Sequence, residues 1–275
     1  WLDPPHGTDN AMTLAAVIGR ADEDGLAPLD YHLDVIYDLL VQVLKQSAKD
    51  GPPPFDPKLW ADLDLILTDA FLLFGSHLAA GRVNPETLHS DWKIKPDVVD
   101  LSAALDRAVS SGDIATALTR LGPAHQGYTD LRDALARLRG MTADGGWPKL
   151  AVRETLHPGA RCSAIGDLRF RLVASGGADP PSRFDDPLFF DAALVSAVRR
   201  FQHSNGLPAD GIIGRETIAA LNVPIEQRIR QVVLNLERWR WLPRDLGRRH
   251  IVVNTADFTL MAVENNQPVR QMRVV

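Results

Sequence analysis

Apolar side chains recur at spacings of three and four through most of the chain and alternate only near its C-terminal end. That pattern predicts a mainly α protein with a short β segment. Between residues 11 and 45, Leu33, Ile36, Leu40, Val43 and Leu44 share one face, and Gly25 and Pro28 break the helical run. Leu63, Ile66, Leu67, Ala70, Phe71 and Phe74 define a core helix over 59–80 that ends near Gly81. The run before it, 51–57, is predicted to be a surface loop, because proline donates no backbone hydrogen bond and restricts the residue before it. Further helices are expected over 96–110, 113–121 and 128–138, so residues 1–150 form an all-helical domain.

Gly145-Gly146-Trp147-Pro148 opens an irregular link, after which a different, compact pattern occupies 151–224. Ser163 is positioned to cap a helix in which Ile165, Leu168 and Leu172 form a stripe ending at Gly176-Gly177. A loop leads to a second helix carrying Leu194, Val198 and Phe201 inward. A tight turn over 210–214 then precedes a short third helix, 215–221, closed by Ile218 and Leu221. A connecting helix is expected within 225–249, and strands over 251–253, 259–263 and 269–275, with a turn at 264–267. Two or three strands leave open edges, so 250–275 is expected to begin a larger sheet.

Composition narrows the functional classes. The net charge of −5, from 30 Lys+Arg against 35 Asp+Glu, supplies no basic field, so nucleic acid is not an expected partner. The apolar stretch 63–74 is interrupted by Asp64, Thr68 and Asp69, short of the roughly 20 apolar residues that span a bilayer, and no transmembrane segment is expected. The chain opens on Trp1 without a basic-then-apolar leader, so any secretion signal is expected upstream. Cys162, the single cysteine, excludes an intramolecular disulfide. None of the eight histidines is spaced to pair with another ligand on one helical face, and no metal or cofactor is expected.

Three segments of the compact unit, A-V-R-R-F-Q (197–202), G-L-P-A-D-G-I-I-G (206–214) and T-I-A-A-L-N (217–222), resemble the peptidoglycan-binding domain appended to many wall enzymes. The flanks resemble the large scaffold-bearing L,D-transpeptidases of Gram-negative bacteria. D-L-I-L-T-D-A-F (64–71), G-R-V-N-P (81–85) with Trp92, and Y-T-D-L-R-D-A-L (128–135) look like that family's scaffold domain. R-I-R-Q-V-V-L-N-L-E-R-W-R-W-L-P (228–243) looks like its connecting helix, and H-I-V-V-N-T-A-D-F-T-L (250–260) like the opening of its catalytic sheet.

The resemblance implies a periplasmic enzyme that cross-links peptidoglycan stem peptides through a cysteine thiolate in a His-Gly-Cys type motif, paired with a histidine. A thiolate is required because a neutral thiol is a poor nucleophile. Neither motif occurs in this sequence, so the catalytic pair is expected beyond Val275 and the chain alone is expected to be inactive. Two other readings share the binding module: a non-catalytic wall-binding or scaffold protein, and a wall hydrolase such as a zinc amidase.

Arg199, Gln202 and Arg215 are the candidate contacts to stem peptide or glycan, because they are expected to point outward while Val198, Phe201 and Ile218 turn inward. Cys162 precedes a helix near His157, but without a His-Gly before it the expected role is packing. Trp239 and Trp241 beside Arg238 and Arg240 could stack on sugars; packing at a domain junction is the preferred reading. Asp62, Asp64 and Asp69 scatter around their helix and are expected on a solvated face rather than as an acid pair. Arg82 either binds a ligand or holds the helix-terminal carbonyls.

Overall fold

The computed structural model describes residues 1, 8–47, 56–88, 90, 92–95, 97–147, 149–152, 154–175, 186–254, 258–265 and 267–274. The chain divides into two compact units, 1–137 with 230–247 and 138–229 with 248–275. The fold is mainly helical with one short antiparallel sheet, as the hydrophobic spacing predicts.

In the first unit α1 (Asp9–Ile18), α2 (Leu33–Ser47) and α3 (Pro57–Ala80) are followed by α4 (Leu101–Ser111), α5 (Ile114–Thr119) and α6 (Gln126–Ala143) as far as Arg137. Short 3-10 turns at Ala21–Asp24 and Pro28–Tyr31 make the break foreseen at Gly25 and Pro28. α3 begins where Asp56 accepts the N–H groups of Lys58 and Leu59 and where Pro57, at the first helical position, needs no donor. Its apolar face, Leu63, Leu67, Phe71 and Phe74, packs with Leu14, Ile18, Ile36, Ile114 and Leu118 in a single core. Tyr31 enters that core edge-on to Phe74, with ring centroids 4.8 Å apart. The loop read at 51–57 lies outside the described residues up to Phe55.

One expectation is corrected here. α4 starts at Leu101 rather than at 96, because residues 97–100 are non-helical and Asp100 supplies the cap by accepting from Ala103 N–H. α3, at 24 residues, is long and apolar enough by length and composition alone to cross a membrane, but one such helix gives no clear transmembrane span, in keeping with the expectation from sequence. Its buried side chains form the centre of the first unit's core.

In the second unit α7 (Ala164–Ala174), α8 (Ala192–Ser204) and α9 (Arg215–Leu221) enclose a core of Ile165, Leu168, Leu172, Phe190, Val198, Phe201 and Leu221. Ser163 occupies the cap position of α7 without making the side-chain cap bond. Leu156 and Ile213 exchange main-chain hydrogen bonds at 3.2 and 3.0 Å, joining the start of the module to the turn before α9. Gly176, Gly177 and most of the loop to Leu188 lie outside the described residues. α10 (Ile225–Arg240) follows Pro224, with its residues from Arg230 onward in the first unit. β1 (Arg249–Asn254), β2 (Thr259–Glu264) and β3 (Gln267–Arg273) form an antiparallel sheet in that order, with a bulge at Ala262/Val263.

Candidate functional site

α8 is anchored at its start by Asp191, whose carboxylate accepts Leu194 N–H at 2.7 Å and pairs with the buried Arg169 at 2.6 Å. Burial alone would raise this carboxyl, but the Leu194 N–H and the Arg169 guanidinium outweigh it and hold the group below its ordinary range. The other end of α8 carries two of the three residues singled out in the sequence.

Gln202 does not point outward. It is 1% exposed and closes the turn between α8 and α9. Its amide nitrogen donates to Asp210 Oδ1 at 2.8 Å, Ile212 O at 2.9 Å and Thr217 Oγ1 at 3.2 Å. Its carbonyl accepts Gly211 N–H at 2.9 Å. The reason is helical phase: residue 202 is four positions after Val198 and so shares the buried face. Gly211, at φ 81°, has no room for a side chain, since a Cβ would lie 2.9 Å from Val195 Cγ1 and 3.1 Å from Arg199 Nε.

Arg199 is exposed and lies across this turn, with Nε and Nη2 each 3.4 Å from the Asp210 carbonyl. Asp210 itself is held below the ordinary carboxylate range by Ile212 N–H and the Gln202 amide. Arg215 is exposed on the first turn of α9 and joins neither residue. The structure therefore brings Arg199 and Gln202 together at Asp210, assigns Gln202 to holding the turn, and leaves Arg199 and Arg215 facing solvent.

The sequence reading passed over Arg169 and Arg171, which are buried while Phe170 between them is 56% exposed. Arg171 donates from Nε to Leu221 O at 2.8 Å and lays its guanidinium over the Trp147 ring, 3.6 Å from the centroid. Burial, with Arg228 nearby, pushes it down to about 10, so it remains a cation at neutral pH. Trp147 donates to Val223 O at 3.1 Å. For Arg169 a signal existed, four residues after Ile165 on the apolar stripe; Arg171 meets partners too distant in sequence to be read.

Residues 167–221, from within α7 to the end of α9, match the family model described as "Putative peptidoglycan binding domain". The module matches a peptidoglycan-binding domain. Residues 1–135 match the model described as "Scaffold domain". No curated protein matches the chain. Together the Scaffold and peptidoglycan-binding matches support a cell-wall-binding role.

The remaining candidates fall into place as packing or surface groups. Cys162 is half-buried against the core of the peptidoglycan-binding-like module, with its main-chain N–H donating to Leu188 O. In the first unit Trp241 meets Trp92 edge-on at 5.6 Å, and Trp239 lies 5.2 Å from the His125 ring, as the packing reading expects. Arg82 pairs with Asp30 at 2.8 Å, and Asp62 and Asp69 make exposed pairs with Lys58 and His32. Among the described residues no group of three or more His, Cys, Asp or Glu could hold a metal ion.

Proposed function

We propose that this chain is the scaffold and wall-binding portion of a periplasmic peptidoglycan L,D-transpeptidase. The observation that carries the reading is the order of parts in one chain: a Scaffold match over 1–135, then a peptidoglycan-binding match over 167–221. The connecting-helix motif at 228–243 and the strands from Arg249 onward, which resemble the start of a catalytic sheet, extend it. In this reading a cysteine and a histidine C-terminal to Val275 carry the chemistry. The thiolate attacks the carbonyl of the third stem residue, and the bond to the terminal D-alanine breaks. An amine of a second stem then takes the acyl group, releases the thiolate and forms the 3-3 cross-link.

Two measurements test it. The chain is expected to sediment with purified peptidoglycan sacculi, and loss of that co-sedimentation would remove the wall-binding part. A gene product that continues past Val275, incubated with disaccharide-tetrapeptide, is expected to yield a cross-linked dimer by mass spectrometry that disappears when its cysteine is replaced. Wall binding without dimer in the longer product would favour the scaffold-only reading, and metal-dependent stem cleavage an amidase. The present chain alone is expected to give no dimer.

A further inference from the structure

A cavity of about 310 Å³ lies within the first unit, at the lower end of the range typical of small-ligand sites. Phe74, Leu78 and Leu118 make its floor apolar, and Arg20, Glu23, Asp24 and Arg132 bring both signs of charge to its walls. A simple anion would meet two carboxylates there, and a simple cation two guanidinium groups. A molecule carrying both charges satisfies both.

The hydrogen-bonding state of the walls supports the same ligand. Tyr128 donates to Asp24 Oδ1 at 2.7 Å, Arg132 Nε lies 3.1 Å from that same oxygen, and Arg132 Nη2 pairs with Glu23 Oε2 at 2.9 Å. Oδ2 is left unengaged among the described residues, on a side chain only 16% exposed. Arg20 has no ion-pair partner among the described residues. The Asp24–Tyr128 edge is held from behind by Arg240, which is 1% exposed and donates to Tyr128 Oη at 3.1 Å and to the Asp24 carbonyl. The wall is therefore set before any ligand arrives, which lowers the ordering cost of binding.

We propose that this cavity binds a small zwitterion, an amino acid or dipeptide, with its carboxylate on Arg20, its ammonium on Asp24 Oδ2 beside the Arg132-paired Glu23, and its side chain over Phe74 and Leu118. The assignment does not rest on the wall-binding reading and stands or falls separately from it.

The test uses the full chain and titrates D-alanyl-D-alanine and L-alanyl-L-alanine by calorimetry or amide chemical-shift perturbation, beside their N-acetylated and C-amidated forms. Saturable binding in the millimolar range is expected for at least one free dipeptide, with a loss of about tenfold or more when either end is blocked. Arg20→Gln should cost a similar factor while leaving the thermal midpoint unchanged, since Arg20 makes no ion pair among the described residues. Glu23→Gln should weaken the free dipeptide more than the N-acetylated one. The proposal is overturned if neither free dipeptide binds, if the blocked forms bind equally well, or if Arg20→Gln binds as the parent does.

Discussion

Glu237 Oε1 accepts the main-chain N–H of Arg82 at 2.6 Å, joining α10 to the chain just past the end of α3 in the first unit. The same oxygen accepts from Val83 N–H at 3.0 Å and Trp241 Nε1 at 3.2 Å, while Oε2 takes Arg240 Nη1 at 2.9 Å. One carboxylate thus satisfies four donors. Glu237→Ala leaves the buried Arg240 without its counter-ion and is expected to destabilise the first unit by about 3–5 kcal/mol. Urea unfolding followed by tryptophan fluorescence measures it, and a cost below that of an ordinary surface change would contradict the arrangement.

Gly81 is fixed by the same carboxylate. At φ 82° its Cβ would come 2.6 Å from Glu237 Oε1 and 2.9 Å from Trp241 Nε1. Gly81→Ala should therefore destabilise by about 2 kcal/mol or more, through strain and displacement together. Gly140→Ala, where a Cβ meets nothing within 4 Å in a helix interior, should be neutral or stabilising in the same assay.

In the peptidoglycan-binding-like module, Gln202→Leu keeps the volume but strands Gly211 N–H and frees Asp210. A loss of about 1–3 kcal/mol is expected, visible as faster amide exchange at Gly211 and Ile212. Arg199→Ala and Arg215→Ala, both exposed, should leave stability almost unchanged. If their guanidinium groups meet the wall, co-sedimentation with sacculi falls in these two variants; unaltered sedimentation removes them as contacts.

Trp147→Ala uncovers a guanidinium that is buried beneath an indole. Loss of ring packing and of the cation–π contact is expected to cost about 2–4 kcal/mol. Arg171→Met should cost less than Trp147→Ala, because a methionine retains apolar contact with the ring and removes the need to bury a charge.

His77 gives the first unit an acid sensitivity. Burial, then Arg82 and Arg240, lowers its pKa, against Glu237 and Asp30, and Tyr31 Oη lies 3.1 Å from Nδ1. Because the folded-state pKa lies below the unfolded one, the unfolded chain binds the proton more readily. The stabilisation is complete above the unfolded pKa and is lost as pH falls toward the folded value. Unfolding free energies from pH 7 down to 5 should decline more steeply for the parent than for His77→Gln, and parallel slopes would refute this.

Much of the architecture was legible because α3 and α8 repeat apolar residues at helical spacing and because the prolines before α3, Gly81 after it, and Gly206 and Gly211 after α8 punctuate them. What escaped was long-range. Nothing local to Glu237 reveals partners at Arg82 and Val83, 155 and 154 positions away. Arg171 finds Leu221 and Trp147, one after it and one before, in positions no periodicity relates. Gln202 was misplaced for a different reason: its polar character was weighed above its phase on α8, although it shares the face of Val198. The start of α4 was placed at a proline when the decisive signal was the carboxylate of Asp100. Of the candidate contacts, Arg199 and Arg215 keep the outward placement expected of them.

The side chain at 202 must both donate and accept hydrogen bonds within one planar group. Glutamate in the same place has the shape but would bring a second negative charge against Asp210 and offer nothing to the Ile212 carbonyl. A hydrocarbon would be mute to both. The turn therefore acts as a chemical filter on this position: any chain that folds its 210–212 corner in this manner requires a carboxamide there. A carboxamide one helical turn after a buried valine, eight residues before an Asp-Gly pair, is a fingerprint of the corner itself and independent of whatever the module binds.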